Sequence, residues 1–192
     1  MNSTKSLLRM PTEVGAPHQV VIEPFDPSKH DRTAFSCGVS RLDNFLKASA
    51  RKQQRDDFTR IWVAVRPQGN SVIGYYAINS HSLLAEGAPE QLTKNAPRHG
   101  QIPAAYLSMI CVNKAEQGGG IGSALLIDAL QRIAKASQQL GIAAIILDIL
   151  DDDGPQAAER RRKFYESMQF QSFPSQPLRM FLPIAIAKKL LV

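Results

Sequence analysis

Gln117-Gly118-Gly119-Gly120-Ile121-Gly122-Ser123 decides the reading of this chain. An apolar run over residues 106–112 precedes it and reads as a buried strand. Residues 121–136 follow with helical spacing: Ile121, Leu125, Ala129 and Ile133 form one stripe, and Leu126, Leu130 and Ala134 its neighbour. Between them, four glycines and a serine leave little side chain in the way, so main-chain N–H groups can converge on one ligand. A helix start behind them adds N–H donors without intrahelical acceptors and a partial positive charge. That combination is an anion site, with phosphate its usual occupant. A glycine-rich turn that only joins strand to helix is the plainer alternative.

Three loop types compete. A P-loop needs lysine and then Ser or Thr after its last glycine, and here Gly122 is followed directly by Ser123. A dinucleotide fingerprint needs Gly-x-Gly-x-x-Gly or Ala. Counting from Gly118 its last place holds Ser123, and counting from Gly120 it holds Leu125, so neither register fits. The third type is Gln/Arg-x-x-Gly-x-Gly/Ala, which Gln117, Gly120 and Gly122 match. Further along stands Phe164-Tyr165-Glu166-Ser167-Met168-Gln169-Phe170, after a second apolar run at residues 143–150. On its own, Tyr165 also reads as a half-buried aromatic with its hydroxyl at the surface.

On these two motifs the chain resembles the GCN5-related N-acetyltransferases over residues 20–183. In that family the second motif runs Phe-Tyr-x-x-x-Gly-Phe, and Gln169 stands here at the usual glycine. The front half, Phe35-Ser36-Cys37-Gly38 with Leu42-Asp43-Asn44-Phe45-Leu46, narrows the resemblance to acetyltransferases related to type II toxin–antitoxin toxins. Val72-Ile73-Gly74-Tyr75-Tyr76-Ala77 belongs to the same pattern. Ser108-Met109-Ile110 and Gly119 depart from it, where the group often has Gly-Arg-Leu and a basic residue.

The resemblance implies an α/β (α+β) fold: a central mixed, mostly antiparallel sheet, helices on both faces and a splayed central strand pair. It also implies acetyl-CoA as cosubstrate. Gln117, Gly118, Gly119, Gly120, Ile121, Gly122 and Ser123 would hold its pyrophosphate. Ile110, Cys111 and Val112 would lie along the pantetheine arm, with main-chain groups of Ile110 and Val112 pairing to it. Tyr165 would protonate the leaving thiolate. The acceptor is a primary amine. Family toxins acetylate the amino acid carried on a charged tRNA, which would add an aminoacyl-tRNA, an antitoxin protein and a homodimeric state to the expected partners. A small-molecule or protein acetyltransferase, and a non-catalytic CoA- or RNA-binding module, stay open.

A general base is harder to place. Residues 106–112 carry no carboxylate and no histidine, so His81, just after a strand, is the candidate ring; an ordinary strand-end histidine is its plainer reading. A site without a base favours an α-amino group, with a pKa of about 7.7–8.0, over a lysine amine at about 10.4.

The rest of the composition bounds the class. The chain has 192 residues, 44% of them hydrophobic, which suits one globular domain over 18–192 after a flexible leader at 1–17. No apolar run is long enough to span a bilayer and the first residues lack a signal core, so a cytoplasmic protein without membrane or metal is expected. Two cysteines, Cys37 and Cys111, make no disulfide framework. The net charge of +6 is partly clustered at Arg51-Lys52 and Arg160-Arg161-Arg162-Lys163, either as solvated helix faces or as a surface for acidic partners. Further expectations are a helix capped by Ser40, a hairpin over residues 61–78, a short helix and loop over 82–103, a helix at 156–168, a strand at 178–182 and a short terminal helix.

Overall fold

A computed structural model describes residues 19–190; the leader expected at 1–17 lies outside them. Seven strands form one sheet in the order β1-β2-β3-β4-β5-β7-β6. They are β1 Val21–Pro24, β2 Arg60–Val65, β3 Gly74–Leu84, β4 Gln101–Val112, β5 Ala144–Asp148, β6 Gln171–Phe173 and β7 Gln176–Pro183. Only the β4–β5 ladder is parallel. It holds for three pairs, Ala104–Ala144 to Tyr106–Ile146, and then the strands separate, so the β5-facing edge of residues 107–112 is left without a strand.

The central strands are buried on both faces where their sequence is apolar, over Gly74, Tyr75, Tyr76 and Ala77 of β3, Ala104 and Ala105 of β4 and Ala144 to Leu147 of β5. On one face α4, Ile121–Ala136, lays Leu125, Leu126, Ala129, Leu130 and Ile133 against Tyr76 and Leu107, with α6, Ile184–Leu190, beside it. Burying each of these leucines or the isoleucine stabilises by about 1.5–3 kcal/mol. Gly74 permits this approach, because a Cβ there would lie 2.9 Å from Leu125 Cδ1 and 3.2 Å from the Cys111 carbonyl. The opposite face carries α1 Ser40–Asn44, a π-helical turn Phe45–Ser49 and α2 Ala50–Arg55, which pack Leu42, Leu46 and Ala50 on Val63 and Tyr75.

Several local expectations change. Ser40 does not cap its helix: Val39 occupies the cap position without a side-chain bond. Asp43 instead accepts from the Cys37 N–H at 2.8 Å and the Ser36 hydroxyl at 3.0 Å, fixing the turn before the helix. Within 82–103 the expected short helix and loop are present as α3, Glu90–Thr93, and its flanks, while the ends of the segment are strand, because β3 runs on through Leu84 and β4 starts at Gln101. Pro103 is tolerated there because it is the third residue of β4, opposite Ser82 near the end of β3, where a missing N–H costs little. The short β6 is an addition, too brief at three residues to leave a periodic signal.

Helix α5, Pro155–Ser167, opens on proline and closes in a Schellman turn. Phe170 N–H donates to the Tyr165 carbonyl at 3.1 Å, and Gln169 N–H to the Glu166 carbonyl at 2.9 Å. The Phe170 ring packs edge-on against Tyr165, 5.9 Å between centroids, so the turn also immobilises that tyrosine. Gln169 sits at φ 66, the left-handed conformation that glycine adopts freely. The turn therefore survives without the glycine, at a backbone cost. Gln169→Gly should raise stability by about 0.5–1 kcal/mol, or ~2–3 °C in Tm, by calorimetry; an unchanged or lower Tm refutes that strain.

Candidate active site

Where β4 and β5 part, three hollows meet in a line. The outer one, about 580 Å³, is walled by Gln117, Gly118, Gly120, Ile121, Gly122 and Ser123, with Arg160 and Arg161 opposite. Gly118 and Gly120 hold φ of 84 and 82, which turns successive N–H groups toward one side. Gly120 caps α4 with no side chain, so the N–H groups of Ile121, Gly122 and Ser123 are left without helical acceptors. The first intrahelical bond is Ala124 N–H to the Gly120 carbonyl. Gly119 belongs to the loop but not to the wall of the hollow.

Gln117 acts on the protein as well as on the hollow. Its side-chain amide donates to the Cys37 carbonyl at 3.1 Å and the Val112 carbonyl at 3.0 Å, tying the loop to the end of β4. The Val112 carbonyl thus already has a donor, whereas Ile110 keeps its gap-facing edge open.

The middle hollow is narrow, about 150 Å³, and fits a thin chain rather than a ring system. Its walls include Ser108, Met109, Ile110, Cys111 and Val112 from β4, Leu147 and Asp148 from β5, and Arg161, Phe164 and Tyr165 from α5. A bulge between Leu107 and Met109 leaves Ser108 out of register with β3 and turns β4 away from β5. Tyr165 is 7% exposed, and among the described residues its hydroxyl has no hydrogen-bond partner. Burial pushes its pKa to about 12, with Arg161 opposing the shift and Cys111 adding to it. Burial likewise pushes the Cys111 thiol well up, so it is a poor nucleophile. Arg161 is held by both Asp153 oxygens at 2.6 Å and donates to the Leu150 carbonyl at 2.8 Å, which anchors the acidic turn over the gap.

The third hollow, about 560 Å³, opens on the far side and is walled by Arg41, Asn44, Phe45, Ser49, Tyr106 and Asp148, among others. The π-helical turn supplies part of this wall, as such irregularities often do at sites. At its base the Asp148 carboxylate accepts from Arg179 Nε at 2.8 Å, Arg179 Nη2 at 2.9 Å and the Tyr106 hydroxyl at 2.8 Å. Burial works to raise the Asp148 pKa, but the Arg179 and Tyr106 bonds outweigh it and hold the carboxyl below its usual range.

His81 lies outside this line. It faces Ala104 across the β3–β4 ladder with its ring 5.4 Å from that of Tyr106, and it walls none of the three hollows. Burial, and then Arg179, lower its pKa. Asp148, Arg179 and Tyr106 are the charged and polar side chains that sequence reading did not single out, whereas Arg161 entered it only as part of a basic cluster. A carboxylate at the end of the β5 apolar run was the one available signal.

A glycine loop at the start of α4, a narrow gap walled by a phenol and an open hollow beyond it form the arrangement expected of an N-acetyltransferase. Residues 57–172 match the acetyltransferase (GNAT) domain family, and the chain belongs to that family. It is 47% identical over 171 residues to the "Probable toxin TacT" of Sinorhizobium fredii, covering 89% of this chain and 94% of that protein. It is 33% identical to the "tRNA-acetylating toxin" of Mycobacterium tuberculosis, covering 84% and 90%. Among solved structures, AtaT complexed with acetyl-methionyl-tRNAfMet superposes with a TM-score of 0.78 at 23% identity, covering 91% of this chain and all of that one, and so shares the fold.

Proposed function

We propose that the chain, working as one catalytic domain over 18–192, transfers acetyl from acetyl-CoA to the α-amino group of an amino acid carried on tRNA. The observation that supports this most is the line of three hollows with Tyr165 on the wall of the middle one. The loop amides and Arg160 hold the diphosphate, and the free edge of β4 carries the pantetheine arm. In the narrow gap the amine nitrogen attacks the thioester carbonyl; a C–N bond forms and the C–S bond breaks. The thiolate takes the Tyr165 proton, the amine gives its surplus proton to water in the open hollow, and Tyr165 is reprotonated from water. A phenol near 12 can serve here because a leaving thiolate that is short of water in the same gap holds its proton more tightly, as burial does for the Cys111 thiol.

Asp148, held below the usual carboxylate range, is a weak base at neutral pH. The acceptor must therefore arrive partly neutral, which favours an α-amine at about 7.7–8.0 over lysine at about 10.4. Arg41 on the acceptor wall is paired with Asp152 at 2.8 Å, and a polyanion there would exchange for that carboxylate. The names of the two curated relatives point the same way. On this reading the protein is a toxin, held in check by an antitoxin and acting as a homodimer.

Thiol release from acetyl-CoA with charged tRNA, free amino acids and a lysine peptide tests the acceptor. Charged tRNA should be used at least tenfold better than the peptide, and expression without a partner should arrest growth. Equal or better use of the peptide would overturn the tRNA assignment.

A further inference from the structure

We infer that the Asp148 carboxylate is the amine-binding group of the acceptor side, and that Arg179 keeps it from holding the amine as ammonium. This rests on the acetyl-transfer reading above. Among the described residues Asp148 is the one carboxylate that walls both the narrow gap and the open acceptor hollow, so it stands where a nucleophile passes from one to the other. It is reachable, with 36% of its side chain exposed. A carboxylate has about four acceptor sites. Arg179 fills two and Tyr106 a third, leaving one for an incoming N–H. The carboxylate is fixed from two different strands, Oδ2 from Tyr106 on β4 and Arg179 on β7 and Oδ1 from Arg179, so the remaining site, on Oδ1, has a set direction. An N–H bound there orients the amine lone pair before attack.

The charge balance matters as much as the position. A lone carboxylate at hydrogen-bond distance favours the ammonium form, which cannot attack. The bidentate guanidinium of Arg179 offsets that charge, so Asp148 accepts the N–H without strongly raising the amine pKa. The other groups facing Asp148 are the Tyr106 hydroxyl, His81 from β3 and, across the hollow, Arg41. None of them is an acid that would reverse this balance.

The test is steady-state acetylation of charged tRNA by Asp148→Asn and Arg179→Gln, with acetyl-CoA affinity measured separately by calorimetry. Asp148→Asn should raise the acceptor KM and lower kcat, for a loss of about thirtyfold in kcat/KM, with acetyl-CoA affinity within twofold of wild type. Arg179→Gln keeps the carboxylate but leaves its charge unpaired, so the rising limb of kcat against pH, which reports the bound amine, should move upward by about one unit. Tyr106→Phe, which removes one neutral donor, should change the limb little. A merely structural Asp148 would weaken acetyl-CoA binding and acceptor use together and leave the limb in place, which overturns the inference. So does an Asp148→Asn protein that matches wild type. Wild-type protein that binds acetyl-CoA yet acetylates no amine would instead sink the underlying reading.

Discussion

Tyr165→Phe should lower kcat about a hundredfold while acetyl-CoA affinity stays within twofold of wild type. The expectation follows from what the substitution removes: one hydroxyl, in a ring whose position is set by packing. Tyr165 is fixed by the Schellman turn and by contacts with Phe164 and Phe170, at 5.3 and 5.9 Å between centroids, all of which phenylalanine preserves. Its hydroxyl bonds no described residue, so no structural hydrogen bond is lost with it. What disappears is the proton for the departing thiolate, and a lost general acid costs about 10²–10⁴ in rate. Because burial holds the phenol near 12, wild-type turnover should show no decline from its ionisation below about pH 10. Thiol release measured at saturating acetyl-CoA decides it. Turnover within threefold of wild type would remove Tyr165 from the reaction.

Gly120→Asp should weaken acetyl-CoA binding at least a hundredfold. Two costs add. The residue sits at φ 82, where a side chain is strained by roughly 1 kcal/mol or more. The carboxylate would then lie beside the N–H groups of Ile121, Gly122 and Ser123, where a diphosphate must bind. Two like charges ~5 Å apart at an effective dielectric of about 20 repel by ~3 kcal/mol, reduced by salt. Gly120→Ala separates the costs: a Cβ there meets nothing within 4 Å, so alanine pays strain alone and should lose affinity only a few-fold. Calorimetric titration at two salt concentrations gives both numbers. Equal affinities for the alanine and aspartate variants would show that no phosphate occupies the cradle.

The legible parts of this chain are those whose cause is local. The step from β4 to loop to α4 is written in consecutive residues: apolar alternation gives way to glycines, then to a repeating stripe. Ile121–Ala136 is accordingly expected and observed with the same bounds. Gln169 was marked at a turn position, yet its positive φ is forced by the helix end and not by its own preference. The β3 and β4 extensions were missed because Pro89, Pro97, Gly100 and Pro103 dominate the local signal over residues 82–103. Strand pairing between Leu83 and Ile102 overrode it.

For the site, the sequence by itself marked the glycine loop and Tyr165, since each is a short motif whose backbone geometry follows from its own residues. It could not assemble the acceptor side. Asp148 meets Arg179 across 31 residues and Tyr106 across 42, and no local pattern records that they share one carboxylate. Only the tertiary structure, through the parting of β4 from β5 after three paired residues, decided which side chains face the gap and left His81 outside it. Local motifs constrain backbone conformation residue by residue, whereas a constellation across strands exists only once register and twist have placed it.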